Sequence, residues 1–301
     1  MVNLTERLVF GCARLTGGAS AREARNLLDS AYAAGIRHFD TAPSYGLGTA
    51  EFVVGAGLRS FDEPVMVTAK LGSVRPRHAG VQTWLRRAKR LLAPDGDQRL
   101  AGYHPLLAAN VVLSGDFAPD AMRRSLDLSL KRLGRIDWLL LHEAYGRDRS
   151  EELVAQVTEL GAQVGARIGY SNGALFDARA DGAWPPDWIG QTAVDPAWLI
   201  GTPPPARSAP LALHSLALMG EHLARTDRTF AVAREKAAAL IGHTSQGARI
   251  AATIALAAHR LPGAQLIVAS SNVGRLADLL GCITRIDAEG LMPEIAASFK
   301  C

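Results

Sequence analysis

Four side chains suited to proton transfer follow one another near the ends of short apolar runs. Asp40 ends the run "IRHFD", and Tyr45 comes five residues later. Lys70 ends "VMVTAK" and His142 ends "DWLLLH". A carboxylate at the end of a buried strand is costly to desolvate unless a cation meets it. Lys70, at the end of the next run, is placed to be that cation.

These residue types predict acid–base chemistry by a tyrosine. The ordinary pKa of tyrosine is about 10, and an ammonium group within hydrogen-bond reach lowers it by stabilising the phenolate. Tyr45 would then exchange a proton nearer neutral pH, while His142 fixes the same substrate oxygen. Each residue alone has an ordinary explanation as a turn, a packed ring or a solvated amine. Their shared position at consecutive strand ends favours a catalytic site.

The composition narrows the class of protein. The chain has 301 residues, 48% of them hydrophobic and 21% charged, so we expect residues 1–301 to form one domain. The net charge of +4 and the pI near 9.1 allow an anionic ligand, but there is no Lys/Arg block typical of nucleic-acid binding. Cys12, Cys282 and Cys301 lack metal-site spacing and are too few for a disulfide framework. We expect a cytoplasmic monomer without metal, nucleic-acid or membrane partners.

Eight short apolar runs, most of them followed by a helical segment, predict the fold. Parallel neighbours need crossover helices, so the alternation favours a (β/α)₈ TIM barrel, whose strand ends share one mouth. A doubly wound sheet is the alternative, although "GLGTAE" lacks the third glycine of a Rossmann fingerprint. The predicted strands are "RLVFGC", "IRHFD", "VMVTAK", "DWLLLH", "ARIGYSN", "WIGQTAV", "PLALHS" and "QLIVASSN".

Helix boundaries and long loops can also be predicted. Ser20 and Ser150 are expected N-caps, and Gly35, Gly134 and Gly281 are expected to end helices. Long loops are expected after strands 3 and 6, at the end of the barrel where active sites lie. The first spans residues 71–117 and contains the amphipathic segment "TWLRRAKRLL", whose basic face we expect to be solvated; the second is "GTPPPARSAP".

The sequence "GIRHFDTAPSYGLGTAEFVVGAGL", followed in order by "VTAK", "LLLH" and "IGYSN", resembles the aldo-keto reductase superfamily over almost the whole chain. Glu51 and Gly55 also match the family pattern, and Asp40, Tyr45, Lys70 and His142 match its catalytic four. The resemblance implies an (α/β)₈ barrel that binds NAD(P)(H) in an extended form without a Rossmann fold. Tyr45 would be the general acid in carbonyl reduction and the base in alcohol oxidation.

The same resemblance implies a cofactor site. The matching positions are Gly11, Cys12, Asp40, Ser171, Asn172, Gln191, His214, Ser215, Leu216, Ser270, Ser271, Asn272, Arg275 and Asp278. Among them, Ser171, Asn172 and Gln191 match positions that hold the nicotinamide carboxamide. His214 replaces the aromatic residue that usually stacks on the ring, and a purely structural hydrogen-bonding role is an equal alternative.

Two departures from the family pattern weaken the case for NADP(H), and one arginine supports it. Ala269 stands where many NADPH-preferring members carry lysine, and Leu279 replaces an adenine-contacting asparagine. Arg275 can still pair bidentately with a 2′-phosphate. We therefore expect NADP(H) to be slightly preferred, with NAD(H) as the alternative.

The substrate is expected to be a small carbonyl compound or alcohol. The segment "DFAPDAMRRSLDLSLKRLGRIDWLLLHE" resembles the branch that includes sugar-aldehyde and pyridoxal dehydrogenases. Besides Tyr45 and His142, we expect Trp84, Tyr103 and Trp198 to line the substrate pocket, with loop packing as the alternative for each of these three.

Two other functions remain open at this point. One is a nicotinamide-binding regulatory subunit with little turnover. The other is a pyridoxal-phosphate enzyme with Lys70 as its Schiff base.

Overall fold

Eight parallel strands pair in chain order and form a closed barrel. The computed structural model describes residues 3–15, 21–73, 115–175, 184–201, 208–242 and 244–299, with the backbone alone at positions 47, 147, 174 and 175. Pairing of the first strand with the eighth closes the sheet, which confirms the predicted barrel and excludes the doubly wound alternative. The strands are β1 Leu8–Gly11, β2 His38–Asp40, β3 Met66–Leu71, β4 Trp138–His142, β5 Arg167–Leu175, β6 Ile189–Ala193, β7 Leu211–His214 and β8 Gln265–Val268.

Helices surround the barrel. Among the described residues they are α1 Ala21–Ala33, α2 Ala50–Leu58, α3 Pro119–Leu133, α4 Glu151–Val164, α5 Pro196–Ile200, α6 Leu216–Thr226, α7 Arg228–Leu240, α8 Gln246–Arg260, α9 Val273–Glu289 and α10 Met292–Ser298. None of these helices is long and apolar enough to cross a membrane. The amphipathic segment within 71–117 and most of the proline-rich loop lie outside the described residues.

Most predicted helix ends are confirmed, and one is wrong. Ser150 caps α4 by accepting a hydrogen bond from Leu153 N, and Gly134 ends α3 in a left-handed conformation. The prediction that Gly281 ends the last long helix is wrong, because α9 continues to Glu289 and ends at Gly290. Buried apolar residues on both sides of position 281 keep this helix packed, and packing overrides the weak tendency of one glycine to end it. Ser20 lies outside the described residues.

The barrel interior is a small apolar cluster separate from the main core. Successive strand residues point to opposite faces, so alternate positions fill the barrel or meet the helices. The interior cluster draws on six strand positions, Val9, Trp138, Leu140, Ile189, Ala212 and Ile267. The larger cluster, between the barrel and the helices, includes Phe10, Phe39 and Leu139.

One histidine lies inside this interior. His38 Nε2 is 2.7 Å from Thr68 Oγ1, and its ring packs edge-to-face against Trp138 with ring centres 4.7 Å apart. Burial is the largest influence and lowers the pKa of His38 to about 4. His38 is therefore neutral in the folded protein at neutral pH.

The depressed pKa of His38 predicts a pH dependence of stability. Between pH 6.5 and 4 the unfolded histidine takes up a proton that the folded one does not. The contribution to stability is therefore complete above pH 6.5 and is lost as the pH falls toward 4, to a limit of about 3 kcal/mol. In urea titrations at several pH values, we expect the unfolding free energy of His38→Gln to depend less steeply on pH than that of wild type. The difference in slope corresponds to the uptake of up to about one proton on unfolding. The exposed His222→Gln is the control, and equal slopes for wild type and His38→Gln would contradict the assignment.

Candidate active site

Three of the four predicted catalytic residues lie on neighbouring strands at the carboxyl end of the barrel. Asp40 is the last residue of β2, Lys70 the last but one of β3, and His142 the last of β4. Each stands two positions beyond a side chain of the barrel interior, so the period of two directs all three into the same mouth.

A buried ion pair joins the first two residues. Lys70 Nζ donates to Asp40 Oδ1 at 2.5 Å and to the carbonyl oxygen of Thr41 at 3.4 Å. Gln191 Nε2 donates to the same Asp40 oxygen at 3.0 Å. Lys70 is 1% exposed and Asp40 is 3% exposed. The cation predicted for Asp40 is thus Lys70, and the hydrogen bonds offset the cost of burying both charges.

Tyr45 and His142 lie beside this pair. Tyr45 begins the 3-10 helix Tyr45–Gly48, which follows β2 after a short loop. Lys70 Nζ is 4.8 Å from the centre of the Tyr45 ring. The rings of Tyr45 and His142 are 5.5 Å apart and meet edge-to-face at 83°. The structure therefore brings the four residues into one cluster at the mouth.

The pKa of Tyr45 differs from the sequence-based prediction. Desolvation by burial, followed by the charges of Asp40 and Glu143, raises the pKa of Tyr45 well above 10. The expected lowering by Lys70 is wrong for this state, because the ammonium donates to Asp40 and Thr41 and faces the tyrosine ring. Tyr45 consequently holds its proton at neutral pH and is a donor.

His142 is neutral for a related reason. Burial is the main cause, and Lys70 and His214 add to it in lowering the pKa of His142 well below 6.5. Its Nδ1 atom is buried without a hydrogen-bond partner among the described residues. A neutral imidazole in this position can hydrogen-bond a ligand oxygen without carrying charge.

Amide and hydroxyl groups continue around the mouth on β5 and β6, where Ser171 is in register with His142. Ser171 and Asn172 of β5 and Gln191 of β6 are each 5% exposed or less, and Ser171 is in register with Gln191. Gln191 Oε1 is buried and finds no hydrogen-bond partner in the part of the chain that the structure describes. A buried acceptor beside neutral polar groups fits the carboxamide of a nicotinamide ring.

His214 is held by protein groups on both of its nitrogens. Its Nδ1 is 2.8 Å from Ser215 Oγ, and its Nε2 is 2.8 Å from the carbonyl oxygen of Asn172. Burial is the largest influence on its pKa, which is lowered from 6.5. These contacts give His214 a structural function at the end of β7, in agreement with the alternative to ring stacking.

The predicted phosphate and adenine segment begins at the N-terminus of α9. Asn272 caps this helix, since its Oδ1 accepts from Arg275 N at 2.9 Å. Asp278 accepts from Ser245 Oγ and from Gly247 N at the start of α8, which gives its carboxylate a structural function. Arg275 is exposed at the helix N-terminus, where an anion is favoured.

Of the other residues predicted to contact cofactor or substrate, several are buried and two lie outside the described residues. Cys12 is fully buried directly after β1, and Leu216 is buried at the start of α6. Trp198 is 5% exposed and belongs to the main hydrophobic core, as its packing alternative describes. Trp84 and Tyr103 lie outside the described residues.

Sequence reasoning missed Glu143. This residue directly follows His142 and has a positive φ of 54°. Its carboxylate lies between Tyr145 and Gly173 at the ends of β4 and β5. The available signal was an acidic residue after a strand-ending histidine in "LLLHE".

Relatives of known function match part of the chain. The aldo/keto reductase family model matches residues 7–165, just over half of it. A pyridoxal 4-dehydrogenase from Microbacterium luteolum is 34% identical over 128 residues, which cover 41% of this chain and 34% of that protein. A D-threo-aldose 1-dehydrogenase from a Pseudomonas species is 34% identical over 134 residues, 42% of this chain and 35% of that protein. The matches thus span about a third of these relatives' lengths.

Solved structures share the fold over nearly the whole chain. A glycerol dehydrogenase from Gluconobacter oxydans has a TM-score of 0.63 at 15% identity, covering 97% of this chain and 91% of that one. A thermostable aldo-keto reductase in complex with the inhibitor epalrestat has a TM-score of 0.61 at 21% identity, covering 97% and 94%. The extent of the family match, together with the closed barrel, identifies this chain as a member of the aldo/keto reductase family.

Proposed function

We propose that this protein is an NAD(P)(H)-dependent oxidoreductase that interconverts a small aldehyde or ketone and the corresponding alcohol, with Tyr45 as the general acid and base. The observation that carries the proposal is the buried Asp40–Lys70 ion pair beside Tyr45 and His142 at the mouth of the barrel. A bound nicotinamide would supply or accept the hydride at its C4 atom. The chain itself would orient the reactants and move the proton.

Tyr45 would donate its hydroxyl proton to the carbonyl oxygen during reduction. Its raised pKa supports this direction, because the phenol remains protonated at neutral pH until a stronger base forms beside it. Donation would leave the phenolate ring 4.8 Å from the ammonium of Lys70, which is itself paired with Asp40. In alcohol oxidation the same phenolate would take the proton back.

His142 would position the substrate oxygen. Its lowered pKa keeps the imidazole neutral, so it would contribute a hydrogen bond and geometry instead of a second proton. The ring centres of His142 and Tyr45 are 5.5 Å apart, and this closeness supports one substrate oxygen bound beside both residues.

The cofactor would extend from the polar strand ends to the start of α9. The side chains of Ser171, Asn172 and Gln191 would hold the carboxamide. The exposed Arg275 at the helix N-terminus supports binding of a phosphate, including a 2′-phosphate. We therefore retain NADP(H) as slightly preferred over NAD(H).

The substrate would be a small polar carbonyl compound or alcohol. The partial likeness to enzymes named for pyridoxal and for aldose oxidation supports this class. Trp84 and Tyr103 remain proposed wall residues of the pocket, whereas Trp198 packs in the hydrophobic core. The free cysteines Cys12 and Cys282 support a reducing compartment such as the cytoplasm, where we propose that the protein acts as a monomer.

Replacement of the proposed acid gives the first test. We expect Tyr45→Phe to lower kcat for a reactive aldehyde by about 10²- to 10⁴-fold, because only the transferable proton is removed. Fluorescence titration should give a nearly unchanged Kd for NADPH. The control is Tyr32→Phe, which removes a hydroxyl that accepts from Glu63 N away from the mouth. Activity that survives in Tyr45→Phe would refute this assignment, and cofactor binding without oxidation by any aldehyde in wild type would favour the regulatory subunit.

Cofactor preference gives the second test. We expect Arg275→Ala to raise the Kd for NADPH about tenfold and to leave the Kd for NADH nearly unchanged, since only NADPH carries the 2′-phosphate. Arg285→Ala is the matched control, because Arg285 lies on the same helix and pairs with Glu289. An equal rise in the Kd values for NADPH and NADH would instead assign Arg275 to the pyrophosphate, which both cofactors carry.

A further inference from the structure

Glu143 combines an unusual backbone conformation with a position next to a proposed catalytic residue. Its φ of 54° is one of two positive values among the described non-glycine residues. Such conformations cost free energy and occur often at functional sites. The residue directly follows His142, where β4 ends.

The carboxylate of Glu143 is fixed at one oxygen and available at the other. Tyr145 Oη donates to Oε2 at 2.7 Å, and Gly173 N donates to the same oxygen at 3.3 Å. No described residue donates to Oε1. A carboxylate accepts about four hydrogen bonds, so this half-buried group retains capacity for a ligand donor.

Glu143 also has no ion-pair partner among the described residues of the mouth. Within the described ranges, no lysine or arginine forms an ion pair with it, whereas the charge of Asp40 is matched by Lys70. The lowered pKa values of His142 and His214 keep both imidazoles neutral. The described groups of this cluster therefore sum to one negative charge, and its field reaches Tyr45 and His214.

We propose that Glu143 determines substrate specificity, favouring substrates that carry a hydroxyl or ammonium donor and disfavouring those that carry a carboxylate or phosphate in its place. This inference rests on the proposed function, because it assumes that the carbonyl compound binds beside Tyr45 and His142. Oε1 would accept the donor, while Tyr145 and Gly173 hold the carboxylate in place. An anionic group in the same half-buried mouth would meet like charge with little screening by water.

Aldehydes of similar shape and different charge test the proposal. We expect kcat/KM of wild type to be at least about tenfold higher for 4-(hydroxymethyl)benzaldehyde than for 4-formylbenzoate. Glu143→Gln keeps the size and an acceptor oxygen, and should reduce this ratio at least about fivefold. The ratio for (4-formylphenyl)trimethylammonium against 4-formylbenzoate should fall as well, which separates charge from hydrogen bonding. Glu159→Gln on the exposed face of α4 is the control and should leave both ratios unchanged.

Further measurements keep the two proposals separable. An unchanged ratio in Glu143→Gln would overturn the specificity proposal even if every aldehyde is reduced. If wild type reduces none of the aldehydes, the proposed function fails. The Kd values of the same compounds for wild type and Glu143→Gln then still show whether Glu143 discriminates between them by charge. Should Glu143→Gln not fold, Glu143→Gly, which removes the carboxylate and tolerates the positive φ, should reduce the same ratio at least about fivefold. An unchanged ratio in that variant would then overturn the proposal.

Discussion

The buried ion pair between Lys70 and Asp40 is the interaction on which the rest of the site depends. Two charges at the end of a barrel are stable only if they meet each other and find further hydrogen bonds, which Thr41 and Gln191 supply. Removing one member of such a pair typically costs about 3–5 kcal/mol, because the other charge stays buried. Direct pairing of β2 with β3 brings Asp40 and Lys70 side by side, and closure of the barrel lets Gln191 of β6 reach the same carboxylate from across the mouth.

The pair also sets the electrostatics around it. Burial opposes charge on Tyr45, His142 and His214. The charge of Asp40 adds to this effect on Tyr45, and the charge of Lys70 adds to it on His142. A protonated tyrosine and a neutral histidine are therefore the resting state on the side of the mouth formed by β2 to β4. The amide side, formed by β5 and β6, supplies hydrogen bonds without charge. Glu143 lies where the two sides meet and gives the described part of the mouth its negative charge.

The sequence predicts the barrel and the cluster well, because both follow from local patterns. Eight apolar runs specify eight strands, and polar residues at consecutive strand ends must share a mouth, so Lys70 could be matched to Asp40 in advance. The pKa of Tyr45 could not be predicted in the same way, because its direction depends on where one ammonium points and on how much water the ring loses. The end of α9 and the role of Asp278 depend on helix packing between distant segments, and the backbone of Glu143 has no marker such as glycine.

The central claim is that a tyrosine beside a neutralised ion pair supports hydride transfer in this barrel. A single turnover of the enzyme with bound NADPH and excess reactive aldehyde, followed by nicotinamide absorbance in a stopped-flow instrument, tests it most directly. The account predicts a rapid first-order loss of absorbance that is slowed when deuterium replaces the transferred hydrogen at C4. Tight binding of NADPH with stable absorbance across a panel of aldehydes would contradict it.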